Sequence, residues 1–291
     1  MFFGSIPALV TPFSRGRVAQ DTFREFVEWQ IAEGSNALVP CGTTGEVATL
    51  TADEHREVIA AAVQVASARV PVIAGCGTYS TAASIERCRA ASDLGADAAL
   101  VVVPYYNKPS QAGLVAHFLA IADASPLPIV VYNVPSRTVA DISVEALATI
   151  AKHEKIVAVK DATGNLARVT AQRLACGEDF TQLSGNDDMA LGFSAMGGVG
   201  CISVTANVAP RLCSDFQKAM REGHWDEAVK LQDRLYPLHA ALFTDASPAP
   251  AKYALSRVRP HFPTELRLPL VEASDASKRA VDAALEHAGL I

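Results

Sequence analysis

The chain has 291 residues, 50% of them hydrophobic, which is enough for one large domain or for a barrel of about 250 residues with an appendage, and argues against disorder. Its formal net charge of -6 at pH 7 has the wrong sign for a nucleic-acid-binding surface, and no run of like charges suggests a tail. No apolar stretch reaches about 18 residues and no basic region precedes an apolar run at the N-terminus, so we expect neither a membrane span nor a secretion signal.

Apolar strand-like segments and amphipathic helical segments alternate along the first two thirds of the chain. The predicted strands span residues 5–10, 36–40, 70–74, 98–103, 128–132, 156–160, 180–184 and 199–203. The predicted helices between them span residues 21–33, part of 48–67 with Thr51 and Glu54 in capping-box spacing, 81–94, 113–124, 143–151, 166–175 and 187–196. Apolar strands alternating with helices favour an α/β fold of the closed (β/α)8 TIM-barrel type, with an open doubly wound sheet as the alternative.

After residue 204 the pattern becomes purely helical. Helical periods cover residues 210–222, 224–244, 249–257 and 274–288, with no strand between them. The first of these helices can complete the barrel, and the others predict a small C-terminal helical appendage. We therefore expect a barrel domain at residues 1–223 and a helical domain at residues 224–291.

The cysteines do not follow the spacing of a metal site. The chain contains Cys41, Cys76, Cys88, Cys176, Cys201 and Cys213. Most of them lie in apolar segments, where a free thiol behaves as a small hydrophobic side chain. We interpret them as reduced cysteines of a cytoplasmic protein, and we predict no bound metal.

The strand predicted at residues 156–160 ends in an amine. Side chains alternate along a strand, so Ile156, Ala158 and Lys160 are expected on one face, which places the ammonium where a core residue should be. Burial disfavours the charged form of an amine, and a neutral amine attacks carbonyl carbons to form a Schiff base. The alternative is a Lys whose stem packs on apolar neighbours while its head reaches water.

A glycine-rich turn follows the second predicted strand. The sequence Gly42-Thr43-Thr44-Gly45-Glu46 can turn tightly and expose successive N–H groups that would hold a carboxylate. A plain turn capped by its threonine hydroxyls is an equally good interpretation. The spacing does not match a nucleotide-binding loop.

Aromatic and basic side chains follow the fourth and fifth predicted strands. Tyr132 stands at the end of the fifth strand, where a phenol could relay protons, and Arg137 follows a short loop later, where it could clamp a carboxylate or form a surface ion pair. Tyr105 and Tyr106 lie on a proline-bounded loop, and exposed aromatic rings of this kind usually pack against a partner or against the barrel's own mouth.

These motifs together resemble one family over nearly the whole chain. The segments that carry the resemblance are Gly4-Ser5, Val10 to Pro12, Gly42 to Glu46, Pro104 to Pro109, Tyr132 to Arg137, Lys160 to Leu166, Leu183 to Gly185 and Ile202 to Asn207. The chain resembles the 4-hydroxy-tetrahydrodipicolinate (dihydrodipicolinate) synthases, within the pyruvate-dependent class I aldolases that resemble N-acetylneuraminate lyase. Single motifs are shared across that wider class, whereas the full set with Arg137 is more specific.

The resemblance implies a covalent mechanism without a cofactor. Lys160 would form a Schiff base with pyruvate, which would lose a methyl proton to become an enamine. The residues that match the family's proton relay are Thr43, Tyr132 and Tyr106. The enamine would add to L-aspartate 4-semialdehyde to give 4-hydroxy-tetrahydrodipicolinate, the first committed step of lysine biosynthesis through diaminopimelate.

The resemblance also assigns substrate-binding residues. The Thr43-Thr44 turn would hold the carboxylate of pyruvate, and Arg137 would hold that of the semialdehyde. Gly185 and Ile202 match positions whose backbone lines the site. A related lyase that releases pyruvate from a sugar acid, or a pyruvate-binding sensor without turnover, are the alternatives, and Arg137 argues against the former.

The family resemblance further implies a homotetramer built from two tight dimers, in which the phenol matching Tyr106 crosses between subunits. The chain departs from the family at the positions that bind inhibitory lysine, where it carries Ala52, Tyr79 and Ala83 although His55 and Tyr105 remain. Without a carboxylate there, an ammonium group loses its natural partner. We therefore predict weak inhibition by lysine or none.

Overall fold

The computed structural model describes residues 2–291, in which nine strands and twelve α-helices are joined by short loops and three 3-10 helices. The strands are β1 (Gly4–Pro7), β2 (Phe13–Ser14), β3 (Arg17–Val18), β4 (Ile73–Gly75), β5 (Ala98–Val102), β6 (Ile129–Asn133), β7 (Ile156–Asp161), β8 (Thr181–Ser184) and β9 (Gly200–Ser203). The α-helices are α1 (Gln20–Ala32), α2 (Ala52–Ala66), α3 (Thr81–Asp93), α4 (Gln111–Ala124), α5 (Pro135–Thr138), α6 (Val144–Ile150), α7 (Ala167–Cys176), α8 (Ala190–Ala195), α9 (Pro210–Arg221), α10 (Trp225–Ala241), α11 (Ala249–Val258) and α12 (Asp275–Ala288).

Seven strands form one parallel sheet in the order β1-β9-β8-β7-β6-β5-β4. The gap between β1 and β4 is filled by the segment predicted as the second strand, which pairs through single bridges on each side, Ala8 with Val39 and Leu38 with Val72. The N–H of Val39 donates to Pro7 on one side and the N–H of Leu38 to Pro71 on the other. This segment therefore takes the place of the eighth barrel strand, and the sheet closes into the predicted TIM barrel rather than an open sheet.

The barrel carries two hydrophobic layers because side chains alternate along each strand. The inner layer contains, among others, Ile6, Val39, Ile73, Leu100, Val130, Ala158, Leu183 and Ile202. The outer layer packs the sheet against the surrounding helices. Apolar side chains on both faces explain why the strands show no polar face in the sequence.

The alternation expected at residues 156–160 is interrupted. Ile129 of β6 pairs with Ile156, whereas the next residue, Val130, pairs with Ala158. Val157 is thus the extra residue of a bulge. The bulge shifts the alternation of side chains by one residue, so that Ile156 faces the other side of the sheet. Ile156 consequently joins the outer layer and Ala158 the inner layer, so the prediction that they share a face was wrong.

The helices after the last strand pack against one another and against the barrel. Helix α9 contacts β1, and α10 contacts both α9 and α12. Side chains of the last three helices, such as Leu235, Leu255 and Val281, continue the same hydrophobic layer that contains Phe26 of α1. The predicted C-terminal helices are therefore present, and they share a core with the barrel.

Short elements account for the remaining differences from the predictions. The hairpin of β2 and β3 was missed because each strand has only two residues, and helix α5 lies where a loop was expected. The capping box at Thr51 and Glu54 is confirmed, since each residue bonds the other's backbone N–H. Within residues 2–291, no helix combines the length and the apolar character needed to cross a membrane.

Candidate active site

The predicted site residues lie at or just after the carboxyl ends of the barrel strands, at one rim of the barrel. All seven sheet strands run parallel, so their carboxyl ends meet at the same edge. Lys160 lies near the end of β7, next to its register partner Tyr132 on β6. Gly185 directly follows β8, and Ile202 lies on β9 in the same inner layer as Tyr132.

Lys160 is buried at this rim, with 6% of its surface exposed. Its Nζ lies 4.1 Å from the ring centroid of Tyr132. None of the ion pairs formed within residues 2–291 includes it. Lys160 therefore has an aromatic face beside it and, within residues 2–291, no carboxylate partner, an arrangement that differs from a structural ion pair.

Gly185 makes room for the Lys160 side chain. A Cβ at this position would stand 2.7 Å from Cβ of Ala162 and 3.1 Å from Cε of Lys160. Any larger residue would therefore push the lysine stem away from its position. The glycine matters here because of close packing, and the sequence could reveal it only through the family resemblance.

The turn from Gly42 to Glu46 is more closed than the sequence predicts. The N–H groups of Gly45 and Glu46 donate to the carbonyls of Gly42 and Thr43, so they are not free to bind a carboxylate. The Thr43 and Thr44 part of the turn is left for that role, with Thr44 buried and Thr43 half-buried. Successive free N–H groups were expected along the turn; those of Gly45 and Glu46 are instead used within the turn itself.

Residues that follow β1 contact this turn and hold it in place. The hydroxyl of Thr11 donates to the carbonyl of Gly45 over 2.8 Å. A Cβ on Gly45 would stand 2.9 Å from the carbonyl oxygen of Leu9, so only glycine fits. Cys41 and Glu46, at the two ends of the turn, both adopt left-handed backbone conformations that non-glycine residues rarely use.

Arg137 and Tyr106 are not packed into the buried part of the site. Arg137 is exposed on α5, whose first residue, Pro135, presets the backbone of this single turn. Tyr106 is 96% exposed and has a φ of 70°. The structure thus groups Lys160, Tyr132 and Gly185 closely, while it leaves these two side chains in solvent in the single chain.

The sequence interpretation missed a network that fixes the end of β7. Asp161 is 4% exposed, and its carboxylate accepts from the N–H and hydroxyl of Thr163, from Nε of Arg168 and from Nε2 of Gln172. Arg168 and Gln172 are four residues apart on α7, which places them on one helix face. In the sequence, this spacing of two polar side chains shortly after Lys160-Asp161 could have indicated that they bind Asp161. The engaged carboxylate anchors the strand that carries Lys160.

The thiol of Cys201, on β9, is poorly suited to act as a nucleophile. Burial raises the pKa of the Cys201 thiol well above its usual value, and the Lys160 charge only partly opposes that effect. The thiolate is the reactive form, so burial works against nucleophilic attack by Cys201. Among residues 2–291, no cluster of three or more His, Cys, Asp or Glu side chains is arranged to hold a metal ion.

Comparison with known proteins gives one consistent result. Residues 1–288 match the model of the dihydrodipicolinate synthetase family. The chain is 62% identical over 290 residues to the 4-hydroxy-tetrahydrodipicolinate synthase of Rhizorhabdus wittichii, with 100% of both sequences covered. It is 41% identical to the chloride-inhibited dihydrodipicolinate synthase of Acinetobacter baumannii, solved with pyruvate, with full coverage of both chains and a TM-score of 0.97. A monomeric dihydrodipicolinate synthase variant is 36% identical, with a TM-score of 0.96 over 100% of this chain and 98% of that one.

Proposed function

The chain belongs to the dihydrodipicolinate synthetase family, and from this premise we propose that Lys160 is the amine that binds pyruvate covalently. The protein is an enzyme with the activity for which its relatives are named: it condenses pyruvate with L-aspartate 4-semialdehyde to 4-hydroxy-tetrahydrodipicolinate, in lysine biosynthesis. The observation that carries the assignment of Lys160 is its burial beside Tyr132 without an ionic partner among residues 2–291.

The proposed reaction begins at the ketone of pyruvate. Nζ of Lys160 adds to the carbonyl carbon, and loss of water gives an imine. The imine draws electrons from the methyl group, which loses a proton to give an enamine, so the electron sink is the protein-bound imine itself and no further cofactor is needed. The enamine carbon attacks the aldehyde, and the substrate's own amine then displaces Nζ as the ring closes.

Proton transfers in this scheme fall to Tyr132, Thr43 and Tyr106. The ring of Tyr132 beside Nζ supports this role for the first of them. Thr43 and Thr44 would meet the carboxylate of pyruvate, and Gly185 and Ile202 would line the site. These assignments extend the family resemblance to the individual residues of this chain.

Arg137 would hold the carboxylate of the semialdehyde. Its exposure on α5 leaves the guanidinium free to meet an incoming anion, and a planar guanidinium binds a carboxylate through two parallel hydrogen bonds. A sugar-acid lyase would need hydroxyl partners there instead of a second cation. The relatives' names favour the synthase over that alternative and over a sensor without turnover.

We propose that the chain assembles into a homotetramer made of two dimers. Exposed aromatic residues support a subunit contact: Tyr79 is 55% exposed, packs edge-on against Tyr105 at 5.4 Å between ring centroids, and lies near the loop of Tyr106. Sedimentation of the wild type and of Tyr106→Trp tests this. A wild-type monomer that is fully active would contradict it, and the monomeric relative makes the measurement necessary.

We further propose that residues 1–223 form the catalytic domain and residues 224–291 a helical domain, because α12 packs against both α10 and α11 beyond the final strand. A cytoplasmic location is supported by the cysteines, all six of which are free.

The decisive assay incubates the protein with pyruvate and aspartate semialdehyde and follows the coupled reductase step. Turnover that depends on both substrates supports the proposed site. The Lys160→Arg variant provides the control, since it keeps the charge and loses the nucleophile. Turnover in this variant equal to the wild type would overturn the assignment of Lys160.

A further inference from the structure

A second buried lysine lies behind the turn assigned to the carboxylate of pyruvate. Lys252, on α11, is completely buried. Its Nζ lies 2.5 Å from Oε1 of Glu46 and 2.7 Å from the carbonyl oxygen of Glu265. Glu46 is the last residue of the turn that contains Thr43 and Thr44, so an ion pair joins the C-terminal helices directly to that turn, across 206 positions of sequence.

Glu46 needs such an anchor because its backbone is strained. Its φ is 55° and its ψ 36°, a left-handed conformation that a non-glycine residue adopts only when the surroundings impose it. Both carboxylate oxygens are engaged, since Oε2 also accepts from the N–H of Arg267 over 3.1 Å. The side chain thus fixes the backbone that ends the turn.

The segment that supplies these contacts is itself tied down at several points. The carboxylate of Glu265 accepts from the N–H groups of Arg15 and Gly16 in the β2–β3 hairpin, at 2.8 and 2.7 Å. The guanidinium of Arg267 donates to the carbonyl of Thr49 over 2.9 Å and to the carboxylate of Glu54, which caps α2. Lys252 therefore binds Glu46 from a segment that is itself held in place by several hydrogen bonds.

The pairing also explains how a cation can be kept there. Burial lowers the pKa of Lys252, and the charge and hydrogen bond of Glu46 act in the opposite direction. A buried charge is tolerated when it is paired and its hydrogen bonds are satisfied, as they are here. Removing one partner would leave the other unsatisfied inside the protein, and the strained residue would lose its anchor.

We propose that Lys252 is a positioning residue for catalysis: through Glu46 it holds the Thr43-Thr44 turn in the geometry that receives the carboxylate of pyruvate. In this role Lys252 touches neither substrate nor reacting atoms. The proposal rests on the proposed function, because it needs that turn to bind pyruvate. It assigns the C-terminal helical region a part in substrate affinity.

The test compares Lys252→Met with Lys278→Met. The control removes another lysine of the C-terminal helices that is paired with a carboxylate, Glu272, but is partly exposed. Pyruvate is titrated against imine formation, trapped by borohydride, and against turnover. We expect Lys252→Met to raise the pyruvate concentration needed for half-saturation roughly tenfold or more, with a much smaller change in kcat, whereas Lys278→Met behaves as the wild type.

A merely structural role would look different, because a smaller folded fraction lowers the maximum rate without changing the KM for pyruvate. Unchanged half-saturation in folded Lys252→Met would overturn the proposal. If that variant does not fold, Glu46→Gln/Lys252→Met removes both charges and avoids a lone buried ion, and it must show the same rise in KM. Failure of the wild type to form any imine would instead refute the proposed function, so the two failures are distinguishable.

Discussion

Two lysines are buried within residues 2–291, Lys160 with 6% and Lys252 with none of its surface exposed, and their surroundings differ in one respect. Nζ of each lies over an aromatic ring, that of Phe13 at 4.4 Å for Lys252 and that of Tyr132 at 4.1 Å for Lys160, but only Lys252 has a carboxylate partner, Glu46, at 2.5 Å. The ion pair of Lys252 with Glu46 ties two parts of the fold together. An amine without a carboxylate partner is not held in an ion pair, and at the rim it can meet a carbonyl carbon. We therefore expect the partner, more than the burial, to separate a structural lysine from a reactive one.

The largest expected effect is on turnover. Lys160→Met should lower kcat by at least roughly 10⁴-fold, because no other group can form the covalent intermediate. Lys252→Met should keep most of its kcat once pyruvate is saturating. Steady-state rates in the coupled assay measure both. Comparable losses of kcat in the two folded variants would erase the proposed distinction between the lysines.

The free energy of unfolding should show the opposite order: we expect Lys252→Met to lose more stability than Lys160→Met. Lys252→Met leaves Glu46 as a buried charge without its partner and should lower the free energy of unfolding by about 3–5 kcal/mol. Lys160→Met replaces an amine without an ionic partner by an apolar side chain and should leave the stability unchanged to within about 1 kcal/mol, or raise it. Urea unfolding followed by circular dichroism gives both values. A more stable Lys252→Met protein would show that the ion pair is dispensable.

Sequence patterns were sufficient for the barrel but not for this distinction. The apolar strands and the Thr51 capping box follow from local patterns, and the lysine at the end of β7 stands out against them. The pairing of Lys252 with Glu46 has no local signal, since the residues are 206 positions apart. Glu46 itself was predicted only as part of a turn.

Geometry at single positions was also beyond the sequence. The bulge at Val157 reverses the face of Ile156, and it depends on register with β6 rather than on residue type. The turn from Gly42 uses two of its own N–H groups, which only its conformation reveals. Asp161 could have been interpreted correctly, because Arg168 and Gln172 share the facing side of α7.

Arg137→Ala should distinguish imine formation at Lys160 from the binding of the second substrate. The guanidinium is proposed to meet only the semialdehyde, so we expect a rise in KM for that substrate of roughly 10- to 100-fold, equivalent to losing one charge-assisted contact. Imine formation with pyruvate should change little. Both half-reactions are measurable, by borohydride trapping and by coupled turnover. Equal losses in the two would indicate a structural role for Arg137.

The smallest expected effect concerns free L-lysine, whose ammonium would need a carboxylate partner just as Lys252 does. Tyr79 and Ala83 offer none, and His55 is buried with Nε2 2.8 Å from the carbonyl oxygen of Gly75. The ring of Tyr79 could supply only a cation–π contact. Initial rates at limiting pyruvate should therefore hardly fall with added lysine. Strong, saturable inhibition below about 1 mM, the scale of a binding free energy near 4 kcal/mol, would show that other groups bind it.

The most direct test of the contrast between the two lysines is to locate the pyruvate label. The protein is incubated with pyruvate, reduced with borohydride, digested and mapped by mass spectrometry, with Lys160→Arg as the control. We predict a single adduct on Lys160, none on Lys252, and no label in the control. A label on Lys252, or on Lys160-free protein at the wild-type level, would contradict the conclusion that the unpaired amine is the nucleophile.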